Sequence, residues 1–141
     1  SKLCKAFSLN ELKILKERCK SSNFDSVWEF SVAGGTTVTV YGSELNSSPD
    51  CIRLRDLEGS LPQALGSITA RQANNGMELK FNPRPEVVFR LKDTLFIPPY
   101  NGASVLQSGD VMLIGRHKGE LPLAVTVSAY EDSLIIQCQK R

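Results

Sequence analysis

Between Glu86 and Ile114 one pattern recurs without a fixed period: a short run of β-branched, aromatic or leucine side chains, then residues that stop it. Val87-Val88-Phe89-Arg90-Leu91 is stopped by Lys92-Asp93, and Thr94-Leu95-Phe96-Ile97 by Pro98-Pro99-Tyr100-Asn101-Gly102. Leu106-Gln107-Ser108-Gly109-Asp110 then turns the chain into Val111-Met112-Leu113-Ile114, which ends at Gly115. Runs this short do not make long helices, and runs this apolar belong inside, so the stretch predicts buried strands and not a catalytic motif. It commits the chain to a mostly-β fold, α+β at the margin.

Upstream, Ser8-Leu9-Asn10-Glu11 reads as a capping box that opens a helix. Leu9, Leu12, Leu15 and Cys19 form its apolar stripe, and the helix is expected to end near Lys20-Ser21-Ser22-Asn23. Trp28, Phe30 and Val32 alternate with polar residues, and a three-residue loop Ala33-Gly34-Gly35 sets Phe30 opposite Val38 and Trp28 opposite Val40 in an expected hairpin. Trp28 is expected to anchor the core. Gly42 to Asp50 is a polar loop, and Cys51-Ile52-Arg53-Leu54-Arg55 a short strand with Arg53 and Arg55 on its outer face.

Residues 60–73 read two ways. Pro62 suits a first helical turn, through Leu65, whereas Ile68 and Ala70 match Met77, Leu79 and Phe81 across the hairpin signal Asn75-Gly76. Binary patterning favours a hairpin from about Ser67 to Phe81, with Gln72 opposite Leu79 and Ala70 opposite Phe81. Asn82-Pro83-Arg84-Pro85 is a stiff extended connector between two halves too thin to fold apart. Further on, Leu123, Val125 and Val127 alternate with Ala124, Thr126 and Ser128 as a half-buried strand, and Leu134-Ile135-Ile136 forms the last one. The expectation is a single domain over residues 1–141: a small barrel or sandwich of roughly eight or nine short strands with one N-terminal amphipathic helix. The first residue is Ser1, which suggests a fragment excised from a larger protein.

Composition narrows the function classes. With 41% apolar and 23% charged residues the chain resembles ordinary globular proteins, and no apolar run approaches the ~18 residues of a membrane span. A formal charge of +2 is too small for polyanion binding by bulk charge. Cys4, Cys19, Cys51 and Cys138 are far apart and His117 is the single histidine, so no metal or cofactor site is expected. Cysteines of this kind read as small core residues in a reducing compartment, which favours the cytoplasm.

Catalytic groups are few. His117 sits between Arg116 and Lys118, and the carboxylates Asp56, Glu58, Glu131 and Asp132 fall in expected turns, so no enzyme is expected. Two binding classes remain. A single-stranded nucleic-acid barrel would use Tyr41, Phe96 and Tyr100 for stacking and Arg53, Arg55, Arg84, Arg90 and Lys92 for charge. A protein-binding or assembly module would use free strand edges, expected near Val87 and Val111, and the proline-rich segment from Arg84 to Tyr100. We favour the second, with Arg53, Arg55, Arg84, Arg90, Pro98, Pro99 and Tyr100 as partner-binding residues.

The order L-x-x-G-D-V at Leu106 to Val111 resembles a segment of PDZ domains, although no Gly-Leu-Gly-Phe carboxylate-binding loop precedes it. It is also similar to a strand start in SpoA domains, the small intertwined β folds of flagellar switch and type III secretion ring proteins. That resemblance implies a ring-assembly role.

Overall fold

The computed structural model describes residues 25–32, 35–41, 51–53, 61, 64–74, 76–100 and 102–141. The expected helix over residues 8–20 and Arg55 lie outside them. Among the described residues all regular structure is strand, in eleven segments. They are β1 (Asp25–Ser31), β2 (Thr36–Tyr41), β3 (Cys51–Arg53), β4 (Ala64–Ala73), β5 (Gly76–Pro83) and β6 (Val88–Leu91), followed by β7 (Thr94–Phe96), β8 (Ser104–Leu106), β9 (Asp110–Gly115), β10 (Leu123–Tyr130) and β11 (Ser133–Lys140). β3, β7 and β8 have only three residues each. No helix among the described residues is long and apolar enough to cross a membrane.

The strands form two open sheets, not a closed barrel. The first has the order β1-β11-β10-β9-β6-β7 and the second β3-β2-β4-β5-β8. Every pairing is antiparallel except β2 with β3. Inward residues of both sheets meet in one core: Ile68, Leu79 and Phe81 from the second face Phe89, Met112, Ile114, Val125, Leu134 and Ile136 from the first. This is a β-sandwich, with binary patterning setting which side of each strand faces in.

The central stretch forms strands where its pattern predicts them, but they are not all buried: in β7, at the end of its sheet, Thr94 is exposed and Leu95 and Phe96 are half-buried. β6 and β7 make a hairpin in which Leu91 pairs with Thr94, so Lys92-Asp93 is its loop, and β6 pairs on its other side with β9. Phe89 is the hub, edge-on to Phe81 at 5.1 Å and stacked on Phe96 at 4.6 Å. Trp28 and Phe30 are half-buried against the same core.

Several expectations are corrected. β1 and β2 form no hairpin. β1 pairs with β11, setting Trp28 opposite Ile136 and Phe30 opposite Leu134, while β2 joins the other sheet beside β4. Val32 N–H bonds to the Asp132 carbonyl at 2.9 Å and Gly35 N–H to the Val32 carbonyl at 2.8 Å. The turn at Val32 to Gly35 thus crosses between the sheets, and Gly35, at φ 100°, supplies the conformation that other residues resist.

The β4–β5 hairpin forms, but in another register. Gln72 pairs with Met77 and Ala70 with Leu79, with Ala73 opposite Gly76. A slip of two residues keeps every side chain on its face, which is why Ile68, Ala70, Leu79 and Phe81 are still buried together. β4 begins at Ala64, three residues before the expected Ser67, so no helical turn reaches Leu65. The cause is Gly66, at φ 140°: a Cβ there would lie 2.9 Å from the Pro83 Cα, and without one β4 runs on beside Pro83.

The edges also differ. β9, with Val111, lies between β10 and β6, and β6 lies between β9 and β7, so neither is free. β1 and β7 flank the first sheet, and β3 and β8 the second. Finally, Thr126 and Ser128, expected on a wetted face of β10, are both buried.

Candidate partner-binding groove

β7 is the last strand of the first sheet and β8 the last of the second, and residues 97–103 join them. The connector from β5 to β6 runs nearby. Its residues Arg84 to Val87 form a turn closed by Val87 N–H to the Arg84 carbonyl at 3.1 Å, with Pro85 in the position whose φ proline presets. The turn is anchored to the sheet by Arg84 N–H, which donates to the Leu65 carbonyl at 3.0 Å.

Between these two segments lies a cavity of about 600 Å³, lined by Asn82, Pro83, Pro85, Pro98, Pro99, Tyr100 and Gly102. The Pro98-Pro99 peptide bond is cis. Four prolines make the walls apolar, rigid and poor in backbone donors. The Tyr100 ring tilts against Phe89 at 5.8 Å between centroids, tying this wall to the core. Its hydroxyl is enclosed without a hydrogen-bond partner, and burial, with Glu86 adding to it, raises its pKa above the usual 10.0. Among the described residues the exposed large hydrophobics are Ile97, at 51%, and Val105, at 66%, one on each side of the cavity wall in sequence.

The adjoining edge carries directional backbone groups. A two-residue hairpin loop makes Leu91 and Thr94 a hydrogen-bonded pair, and alternation then turns the N–H and C=O of Leu95 away from β6. Among the described residues, one end of the sandwich therefore offers an apolar cleft beside an unpaired strand edge.

No family model, curated protein or solved structure matches this chain.

Of the residues expected to bind a partner, Pro98, Pro99 and Tyr100 come together in the cleft wall, and Arg84 is exposed between two lining prolines. The others do not join them. Arg53 is on β3, the opposite edge of the second sheet from β8. Arg90 lies on β6, registered between Leu95 and Leu113 and alternating with the inward Phe89 and Leu91. Asn82 and Pro83 were legible only as a connector, Pro85 and Ile97 as members of the proline-rich segment from Arg84 to Tyr100, and Val105 carried no expectation; the shared proline and apolar character of these residues was the available signal. Elsewhere, His117 is exposed and bridges to Glu120 through the backbone, and among the described residues no group of His, Cys, Asp and Glu has metal-site geometry. Cys138 is a free, buried thiol whose pKa burial pushes up to about 12.

Proposed function

We propose that this chain is a non-enzymatic protein-binding module that takes an extended apolar segment of a partner protein. The segment adds along the Leu95 edge of β7 and sets a side chain into the proline-lined cleft. The observation that carries this reading is the meeting of an apolar cavity of about 600 Å³ with a free strand edge and the exposed Ile97. Strand addition draws affinity from backbone hydrogen bonds and selectivity from pockets for alternate side chains, and both ingredients are present at this end of the sandwich. Nucleic-acid stacking has less support, because Phe96 and Tyr100 pack on Phe89.

Panning a random peptide display library against the full chain tests the reading. Enriched peptides should be extended and apolar, and their binding should be lost with Ile97→Asp and with Leu95→Pro, which removes an edge N–H. Enriched peptides indifferent to both substitutions would overturn it. So would tight binding of a single-stranded oligonucleotide that falls steeply with salt, the mark of counterion release. Light-scattering mass that rises with concentration, and that Ile97→Asp abolishes, identifies the partner as a second copy.

A further inference from the structure

Charge is divided between the two ends of the first sheet. Leu91 is registered with Met112 and Tyr130 with Ser133, so the turns at Lys92-Asp93 and Glu131-Asp132 share one end with the start of β9. That end carries Asp93, Asp110, Glu131 and Asp132 against Lys92, which lies 3.9 Å from Asp110. At the other end Gly115 is registered with Val88, which sets the turn from Arg116 to Glu120 beside the turn from Arg84 to Val87. Here Arg84, Arg116 and Lys118 outnumber Glu86 and Glu120, all of them exposed, and Lys140 and Arg141 close the same end beside Leu123. The proline-lined cleft is at this end too, since its lining residues Pro83 and Pro85 flank Arg84.

The cations stand on fixed backbone. A Cβ on Gly115 would lie 3.1 Å from the Leu121 Cα, so the missing side chain lets the turn fold back on its own strand. Glu120 N–H donates to the His117 carbonyl at 3.0 Å. Arg141 clamps the far side, with its backbone N–H on the Pro122 carbonyl at 2.7 Å and its guanidinium on the Leu121 carbonyl at 2.8 Å. Among the described residues the ion pairs are those of Arg71 and Lys80 with Glu78 and of Lys92 with Asp110, and none involves Arg84, Arg116 or Lys118. Cations fixed beside an apolar cleft without carboxylate partners favour a partner that brings the carboxylates.

We propose that the segment taken by the cleft is acidic beside its apolar anchor, which rests on the binding mode proposed above. β7 and β9 are two strand spacings apart, about 10 Å, which an extended chain crosses in about three residues as it leaves the cleft over Arg84 toward Arg116 and Lys118. Asp or Glu is therefore expected about three to five residues from the side chain that enters the cleft. Nucleic acid fits the charge but not the cleft, whose walls are proline and whose one aromatic ring, Tyr100, packs on Phe89.

Panning a random peptide display library against the parent chain, Arg116→Glu and Lys118→Glu separates the acidic preference from the binding mode. Peptides enriched on the parent should carry Asp or Glu at those positions well above their share of the input library, and both variants should lose that bias while keeping the apolar anchor. In fluorescence anisotropy, an enriched acidic peptide should bind each variant roughly fivefold more weakly at about 0.05 M salt, with the gap closing at about 0.5 M. Arg71→Glu, the same charge change at the opposite end of β4 from the cleft, should leave that affinity unchanged. Enriched apolar peptides with no acidic bias would overturn the preference and leave the cleft reading standing, whereas a library yielding no peptide that depends on Leu95 or Ile97 would overturn both. Oligothymidylate that binds the parent and is lost with Arg116→Glu would also overturn it, in favour of nucleic acid at the same cations.

Discussion

The Ser108 hydroxyl holds both backbone groups of Ala129, accepting from its N–H at 2.9 Å and donating to its carbonyl at 3.3 Å. Gly109, at φ 93°, adds a bond from its N–H to the Val127 carbonyl at 2.8 Å, and Asp110 closes the turn by accepting from Gln107 N–H at 2.8 Å. The L-x-x-G-D order is thus a corner that stitches β9 to β10. Ser108→Ala leaves two partly buried backbone groups unpaired and should cost about 1–2 kcal/mol, read from the urea midpoint at constant m-value.

Gly66→Ala should be among the most damaging small substitutions. A Cβ at φ 140° would press on the Asn82 carbonyl and the Pro83 Cα, both backbone atoms that cannot step aside. A loss of about 2–4 kcal/mol is expected from backbone strain and the displaced β4–β5 pairing. Gly119→Ala, with nothing within 4 Å of the added carbon, should change stability by less than about 0.5 kcal/mol.

Lys92 at φ 56° and Glu131 at φ 54° are each the first residue of a two-residue hairpin loop, a position that suits glycine. Left-handed backbone costs a non-glycine residue about 1–2 kcal/mol, and glycine loses about 0.5–1 kcal/mol through its freer unfolded chain. Relief of strain is the larger, so Glu131→Gly should raise stability by up to about 1 kcal/mol. A lowered melting temperature for this variant would contradict the argument.

Tyr100→Phe removes a hydroxyl that is enclosed and unpaired, so the loss of its desolvation cost should leave stability unchanged or raise it by about 1 kcal/mol. The ring contact with Phe89 is kept. Differential scanning calorimetry of the two proteins at pH 7 decides the sign.

The Cys138 thiol titrates at about 12 when folded against an ordinary 9.0. Above pH 9 the unfolded chain therefore releases this proton while the folded chain keeps it, and stability should fall as pH rises toward 12. The slope from this thiol is at most about 1.4 kcal/mol per pH unit. Mass-spectrometric mapping after alkylation at pH 8 should find Cys138 unmodified in the native protein and modified in denaturant.

Local rules reached as far as local causes do. Period-two alternation and turn residues marked the strands from Ser67 to Ile136 and put Ile68, Leu79, Phe81, Phe89 and Ile136 inside, because burial of one strand face is written in the residues themselves. Even where the β4–β5 register slipped by two, the faces survived, since parity and not the partner determines them. The exchange of partners was a tertiary decision. β1 leaves β2 for β11, 104 residues from Glu29 to the Ser133 that bonds to it, because a Trp28–Phe30 face is buried as well by Ile136 and Leu134 as by Val38 and Val40. The cleft was decided the same way. Pro83, Pro85, Pro98 and Pro99 each read as stiff chain, and only the face-to-face packing of two sheets, joined where β7 passes to β8, turns two stiff segments into opposite walls of one cavity.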